Sequence, residues 1–291
     1  MDIVRFMGGL GNQMFQYAFL RALEHEKREV IGSLGFYAFH PDLMQFELNK
    51  VFKNLCLKCG ADNEFLFLYE KWRKIKENKD LKKKFEMETK ERFFWVEDKE
   101  EYGNYQPKVF GTKDCVFVGY WQTYKYFSHI RRDLLKEMAF SPNDHYLIEL
   151  GREISNSRRY VAVHVRRGDY LVKNTIYGGI CDSSYYDNAI EEVSRLVERP
   201  LFIYFCDDYD WLNGWCKEKG TVIDRNYFID YKNWYDMYLM SLCRCVVTAN
   251  SSFSWWGAWL NQREDKIVIA PQRWVNGYEY RDICPENWIR I

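Results

Sequence analysis

The pattern of apolar and polar positions changes character along the chain. A short extended run, Asp2 to Phe6, gives way to a glycine-rich turn, Gly8-Gly9-Leu10-Gly11. From about Asn12, Phe15, Phe19 and Ala22 or Leu23 recur at helical spacing. A second extended run begins at Glu29 to Ile31. The chain therefore opens as β-turn-α-β, the start of an α/β protein.

Past residue 158 the alternation becomes regular. Tyr160 to Val165 is a continuous apolar run rich in β-branched residues. Tyr185 to Val197 follows with Ala189 and Val193 on one face, which predicts a helix. Leu201–Phe205, Thr221–Ile223, Cys245–Thr248 and Lys266–Ala270 read as further strands, the last stopped by Pro271. Helices are predicted to close at Met237–Leu242 and to span Phe253–Leu260. Strands that are apolar on both faces and alternate with helices predict a parallel, doubly wound sheet. Ligands of such sheets bind beyond the carboxyl ends of the strands.

Between these regions lies a dense charge run. Residues 70–101 hold 11 Lys/Arg and 10 Asp/Glu. Leu68, Trp72 and Ile75 fall at i, i+4 and i+7, and Leu81 and Phe85 at i and i+4. The spacing predicts a solvated amphipathic helix or helix pair. So many interleaved acids argue against a nucleic-acid patch.

Composition narrows the class. With 47% hydrophobic residues over 291 positions the chain can bury a core, which excludes disorder. Its 42 Lys/Arg balance 42 Asp/Glu, so no nucleic-acid partner is expected, although a local basic pocket is allowed. The nine cysteines are odd in number and scattered, and several sit in apolar runs. They read as reduced, buried thiols. Cys56-x-x-Cys59 has no second pair to complete a zinc site. No transmembrane segment is expected, since no stretch approaches about 18 consecutive apolar residues. The first residues lack the basic and apolar regions of a signal peptide. A cytoplasmic protein is expected, one that would meet any membrane-borne substrate from the cytosolic face.

Candidate chemistry collects just after the strands. His164-Val165-Arg166-Arg167-Gly168-Asp169 follows one strand, Asp207-Asp208 another, and Asn250-Ser251-Ser252-Phe253-Ser254 a third. With the Gly8–Gln13 turn they are expected to converge on one edge as an anion pocket. Guanidinium forks match phosphate oxygens, and strand alternation points only one of the two arginines inward. An ion pair with Asp169 would explain an arginine equally. Asn250-Ser251-Ser252 suits a helix N-cap, and a helix start also receives anions. Asp207 could accept from a base edge or cap a helix. Trp255, Trp256 and Trp259 read as core. Gly9-x-Gly11 lacks the third glycine of a dinucleotide fingerprint and the lysine of a P-loop. Asp208-Tyr209-Asp210 matches the D-x-D pattern of metal-using glycosyltransferases, a short and permissive match.

Three longer blocks carry a resemblance. Gly8-Gly9-Leu10-Gly11-Asn12-Gln13-Met14-Phe15-Gln16-Tyr17, His164-Val165-Arg166-Arg167-Gly168-Asp169-Tyr170 and Asn250-Ser251-Ser252-Phe253-Ser254-Trp255-Trp256-Gly257 resemble the signature blocks of bacterial α-1,2-fucosyltransferases, glycosyltransferase family 11. Gly119-Tyr120-Trp121-Gln122, followed by Lys125-Tyr126-Phe127, is similar to a further block. The resemblance implies a GT-B-like α/β fold of two Rossmann-like domains, 1–155 on the acceptor side and 156–291 binding a GDP-sugar donor. It implies inverting transfer of L-fucose from GDP-β-L-fucose to the 2-hydroxyl of a terminal β-galactoside on an oligosaccharide or lipid-linked glycan, with no cofactor and no metal.

Carried over by residue, Arg166 would hold the donor β-phosphate, and His164 and Asp207 would lie near guanine. Asn250, Ser251, Ser252, Phe253, Ser254 and Gly11 would complete the donor site. Asn12 would sit by the reacting centre, with Trp121 and Gln122 on the acceptor side. Asp169 is the general-base candidate nearest in sequence, and an ion pair explains it as well. Two positions depart from the family pattern: Cys206 stands where serine is usual, and Thr123-Tyr124 where Ser-Glu is usual. The rival readings are a metal-dependent D-x-D glycosyltransferase using another nucleotide sugar, and a glycan-binding protein without enzymatic activity.

Overall fold

Strand β1 (Asp2–Arg5) is buried along its whole length and lies between two parallel neighbours. The computed structural model describes residues 1–39, 41–42, 44–60, 74, 78, 80, 93–171, 176–215 and 220–291. They form two units, Met1–Ala139 and Phe140–Ile291. In the first, β1 is joined by β2 (Val30–Ser33), β3 (Cys59–Gly60), β4 (Phe93–Val96) and β5 (Cys115–Val118). The sheet order is β3-β2-β1-β5-β4, with every pairing parallel. Parallel neighbours need a crossover, and α1 (Leu10–His25) supplies the one from β1 to β2. It buries Met14, Phe15, Ala18, Phe19 and Ala22. Helix α2 (Arg131–Glu137) is tied to α1 through Glu137, which receives both Arg21 Nη2 (2.8 Å) and the Tyr17 hydroxyl (2.6 Å).

The charge run is only partly described. Leu68, Trp72, Ile75, Leu81 and Phe85 lie outside the described residues. Its last part is not helical as expected: Phe93–Val96 forms β4 and pairs with β5. Four consecutive apolar residues beside a free sheet edge gain more as a strand than as a helix end.

The second unit holds β6 (Tyr160–Val165), β7 (Leu201–Cys206), β8 (Thr221–Val222), β9 (Cys245–Val247), β10 (Ile267–Ala270) and β11 (Ile289–Arg290). All pairings are parallel, in the order β11-β10-β9-β6-β7-β8. Counted from β6 this is 3-2-1-4-5-6, the doubly wound order. Val161, Val163 and Val165 pack with Tyr186, Ala189 and Val193 of α5 (Ser183–Leu196). The predicted strands appear, shifted by a residue or two at their ends. β11 has only two residues and left no periodic signal.

Helix α3 (His145–Asn156) belongs to this unit. Its Gly151 lies against Tyr238 and Leu242 of α7 (Trp234–Leu242). Asp144 caps α3 by accepting from the Leu147 amide (3.0 Å) and also accepts from the Ile229 amide (3.2 Å). The division therefore falls at Ala139/Phe140, ahead of the expected 155/156, because α3 buries its apolar face on α7. Helix α8 (Ser252–Leu260) buries Trp255, Trp256 and Trp259, as expected of core residues. The eight described cysteines are free thiols, six of them buried; Cys216 lies outside the described residues. No helix among the described residues is long and apolar enough to cross a membrane.

Candidate active site

The winding direction of the second sheet reverses between β6 and β9, and the segments leaving those two strands carry two of the expected clusters. His164, near the end of β6, is 7% exposed, with its ring 5.7 Å from that of Phe253 in the first turn of α8. Burial, helped by nearby Arg166 and opposed by Asp207, pushes its imidazole down to about 3. The ring is therefore neutral at physiological pH.

Arg166 and Arg167 part company, as alternation predicts. Arg166 Nη1 reaches Asp207 Oδ2 at 3.0 Å, and its guanidinium stands 5.7 Å from the Tyr170 ring centroid. The side chain keeps 37% of its surface open. Arg167 Nε pairs with Asp208 Oδ2 at 3.1 Å, and its guanidinium lies 4.3 Å from the Trp211 ring centroid. Asp207 Oδ1 accepts from the amides of Arg167 (2.8 Å) and Gly168 (3.3 Å). Both carboxylate oxygens thus link the exits of β6 and β7 and aim Arg166. An accepting contact to a base edge would have to share these oxygens.

Asp208 Oδ1 accepts from the Trp211 amide (3.1 Å) at the start of α6 (Tyr209–Trp215). That amide and Arg167 hold its carboxyl below the ordinary range. The first acid of the D-x-D match is thus a helix cap in an ion pair. Cys206 Sγ accepts from the Asp208 amide (3.2 Å), so the thiol closes the turn where the family pattern has a hydroxyl.

At the exit of β9, Ser251 caps α8, its Oγ accepting from the Phe253 amide (3.3 Å). Ser252 and Phe253 stay partly open, while Ser254 is buried and donates to the Ser251 carbonyl (3.4 Å). The helix start offers the positive end of its dipole. Asn250 has a structural task of its own. Its Nδ2 donates to the carbonyls of Tyr177 (2.9 Å) and Trp274 (3.0 Å), and the residue is 1% exposed. Both amide hydrogens are spent on pinning loops. Asp169 lies in α4 (Gly168–Leu171), and its side chain is outside the described residues.

The N-terminal turn belongs to the other sheet, because β1 pairs with β2 and β5. The expected convergence of four clusters on one sheet edge is thereby corrected to three. In its own sheet the turn again occupies a reversal, between β1 and β5. Gly8 takes φ +80, where a Cβ would stand 2.6 Å from Asn12 Nδ2. Glycine alone combines that backbone with that approach. Gly11 is buried in the first turn of α1. Asn12 is partly open, and its Oδ1 accepts from Gln122 Nε2 (2.8 Å), from the turn after β5. Trp121 is fully buried and stacks on Phe19 with ring centroids 4.2 Å apart. This corrects its expected acceptor contact: the ring is core.

Three further residues support this turn and the one after β5, and none of them had a role assigned from the sequence. Gln13, fully buried, donates to the Gly8 (2.9 Å) and Gln45 (3.0 Å) carbonyls and accepts from the Glu47 (2.9 Å) and Leu48 (3.1 Å) amides. Gln16 accepts from the Met7 amide and donates to the Gly119 carbonyl, each at 3.0 Å. Glu97 lies under the Tyr120–Trp121 backbone. The glutamines' signal was their i, i+3 spacing behind a glycine turn. Glu97 left only an acid after an apolar run. Among the described residues, His25, Glu26 and His129 form the group able to offer a metal three ligands, and all three are exposed.

A fixed cation, a neutral imidazole and a helix start meet at the reversal point of a doubly wound sheet. Such a site suits an anionic nucleotide-linked substrate. The family model of glycosyl transferase family 11 matches residues 1–291. The chain belongs to this family and is a glycosyltransferase of the fucosyltransferase-like kind. It is 30% identical to an alpha-1,2-colitosyltransferase of Escherichia coli, covering 99% of this chain and 98% of that one. It is 27% identical to an O-antigen biosynthesis glycosyltransferase of Escherichia coli, covering 98% of each. A galactoside 2-alpha-L-fucosyltransferase of Mus musculus is 26% identical over 93% of this chain and 67% of its own length.

Proposed function

We propose that this chain is an inverting α-1,2-glycosyltransferase that moves L-fucose from GDP-β-L-fucose to the 2-hydroxyl of a terminal β-galactoside. The observation that carries the reading is Arg166, aimed by Asp207 at the exit of β6. In the reaction, the acceptor oxygen bonds to the sugar C1 as the bond from C1 to the β-phosphate oxygen breaks. Negative charge gathers on the departing GDP. Arg166 and the first turn of α8 neutralise it at a place that needs no reorganisation. Neutral His164 adds a hydrogen-bonding group without adding charge. Asp169 stays the sequence candidate for the acceptor proton. In the N-terminal unit, Asn12 is assigned to the reacting centre, and Gln122, which donates to it, to the acceptor side. The acceptor is an oligosaccharide or a lipid-linked glycan. No metal takes part in this reading.

The 30% identical relative favours a second reading of the sugar, a colitosyl group with the same α-1,2 linkage. The two sugars differ by one ring hydroxyl, and a pocket built to hydrogen-bond that hydroxyl discriminates against the sugar lacking it. Turnover of each GDP-sugar with one β-galactoside separates them.

The donor site is tested by thermal shift in EDTA. GDP or GDP-fucose at about 100 times its dissociation constant should add about 2.7 kcal/mol of stability, and UDP should not. A shift that appears only with manganese would overturn the metal-free reading in favour of the D-x-D alternative.

A further inference from the structure

The turn after β5 rests on an unusual support. Trp121 adopts φ +55, a left-handed conformation that costs a residue with a β-carbon about 1–2 kcal/mol. Glu97, the first residue past β4, lies directly beneath it. The Glu97 carboxyl is 2% exposed, and its Oε2 accepts from the amides of Tyr120 (2.8 Å) and Trp121 (3.1 Å). Its own amide donates to the Val118 carbonyl (2.8 Å). A Cβ on Gly119 would stand 2.7 Å from Glu97 Cβ and Oε2, so this approach requires glycine there. Beyond the support, the Thr123 amide donates to the Trp121 carbonyl (2.8 Å), and Gln122 reaches Asn12.

We propose that Glu97 is the positioning residue of this turn: by accepting from both amides it holds Trp121 left-handed, sends the indole into the core and presents Gln122 to Asn12. Its consequence for turnover rests on the acceptor-side reading given above.

The carboxyl does this in its neutral form. Oε1 has no hydrogen-bond partner among the described residues, and no cation is among the groups that shift this acid. Burial pushes it up to about 8; the two amides oppose that rise, and Glu101 adds to it. Tyr126, the other titratable neighbour, has its phenol raised by burial and by Glu97. Burial thus favours the neutral acid, while Oε2 serves both amides.

The test compares wild type, Glu97→Gln and Glu97→Ala by amide hydrogen exchange and by steady-state transfer from GDP-fucose to a β-galactoside. In Glu97→Ala, exchange protection of the Tyr120 and Trp121 amides should fall about tenfold. Acceptor KM should rise by a similar factor while donor KM holds. Glu97→Gln, whose amide oxygen can accept from both amides, should keep both the protection and the acceptor KM of wild type. Unchanged protection in Glu97→Ala, or protection lost equally in Glu97→Gln and Glu97→Ala, overturns the proposal. If Glu97→Ala does not fold, the glutamine arm decides. Lost protection with an unmoved acceptor KM upholds the hold on the turn and overturns the acceptor-side reading; where wild type transfers no fucose, the exchange measurement alone decides the hold.

Discussion

Arg166 combines an open guanidinium with a fixed aim. Its partly exposed pair with Asp207 contributes about 0–1 kcal/mol to stability. Its worth to a departing diphosphate is larger, because the charge it meets exists only late in the reaction. Arg166→Ala should cut transfer about 10²–10³-fold, while its melting temperature stays near that of wild type. Turnover and thermal denaturation of the same sample check both halves. His164 makes a different prediction. Its imidazole is pushed down to about 3 in the folded chain, against about 6.5 unfolded. The unfolded chain therefore binds the extra proton first, and stability falls as pH drops from about 6.5 toward 3. Chemical denaturation of wild type and His164→Asn between pH 7 and 4.5 should show a shallower acid loss in the variant. Residue types at this scale were legible: an arginine pair at a strand end announces an anion. Their partners were not. That Asp207 aims Arg166 rather than capping a helix follows from the β6–β7 pairing.

At the scale of elements, α1 is the organiser of the N-terminal unit. Its first turn carries Asn12 and Gln13, its middle carries Gln16 and Phe19, and each reaches a different segment. The helix was visible in its apolar spacing, but the work of its glutamines was not, since their partners lie up to 103 residues away. The fully buried Trp121 ring closes the face of α1 over Phe19, Phe117 and Tyr126. Trp121→Ala should cost about 3–5 kcal/mol in urea unfolding, the range for emptying a large aromatic site. A contact that served substrate alone would leave stability unchanged. At the other element of interest, α8, the sequence showed both the cap and the tryptophan-rich core. It did not show that Asn250, one residue before the cap, is bound to two distant carbonyls.

Across the whole molecule, two parallel sheets repeat one device. Each places a signature turn where its strand order reverses, after β1 and β5 in one unit and after β6 and β9 in the other. Helix α3 settles where the second unit begins. A chain of residues 140–291 should unfold in one cooperative transition, followed by circular dichroism. A chain of residues 156–291 should lose that transition, because the face of α7 at Tyr238 and Leu242 is left uncovered. The amino-acid sequence by itself determined the alternation of strands and helices in the second unit, the glycine turn, the helix cap at Ser251 and the arginine pair, because each is written in spacing over a few residues. Tertiary structure alone decided which members of the same blocks stay open to solvent and which are spent inside. Trp121 went to the core against Phe19, Asn250 to the carbonyls of Tyr177 and Trp274, and Gln13 to residues 45–48. A buried polar group must find a partner wherever the fold brings one, and those partners lie beyond the reach of any local pattern.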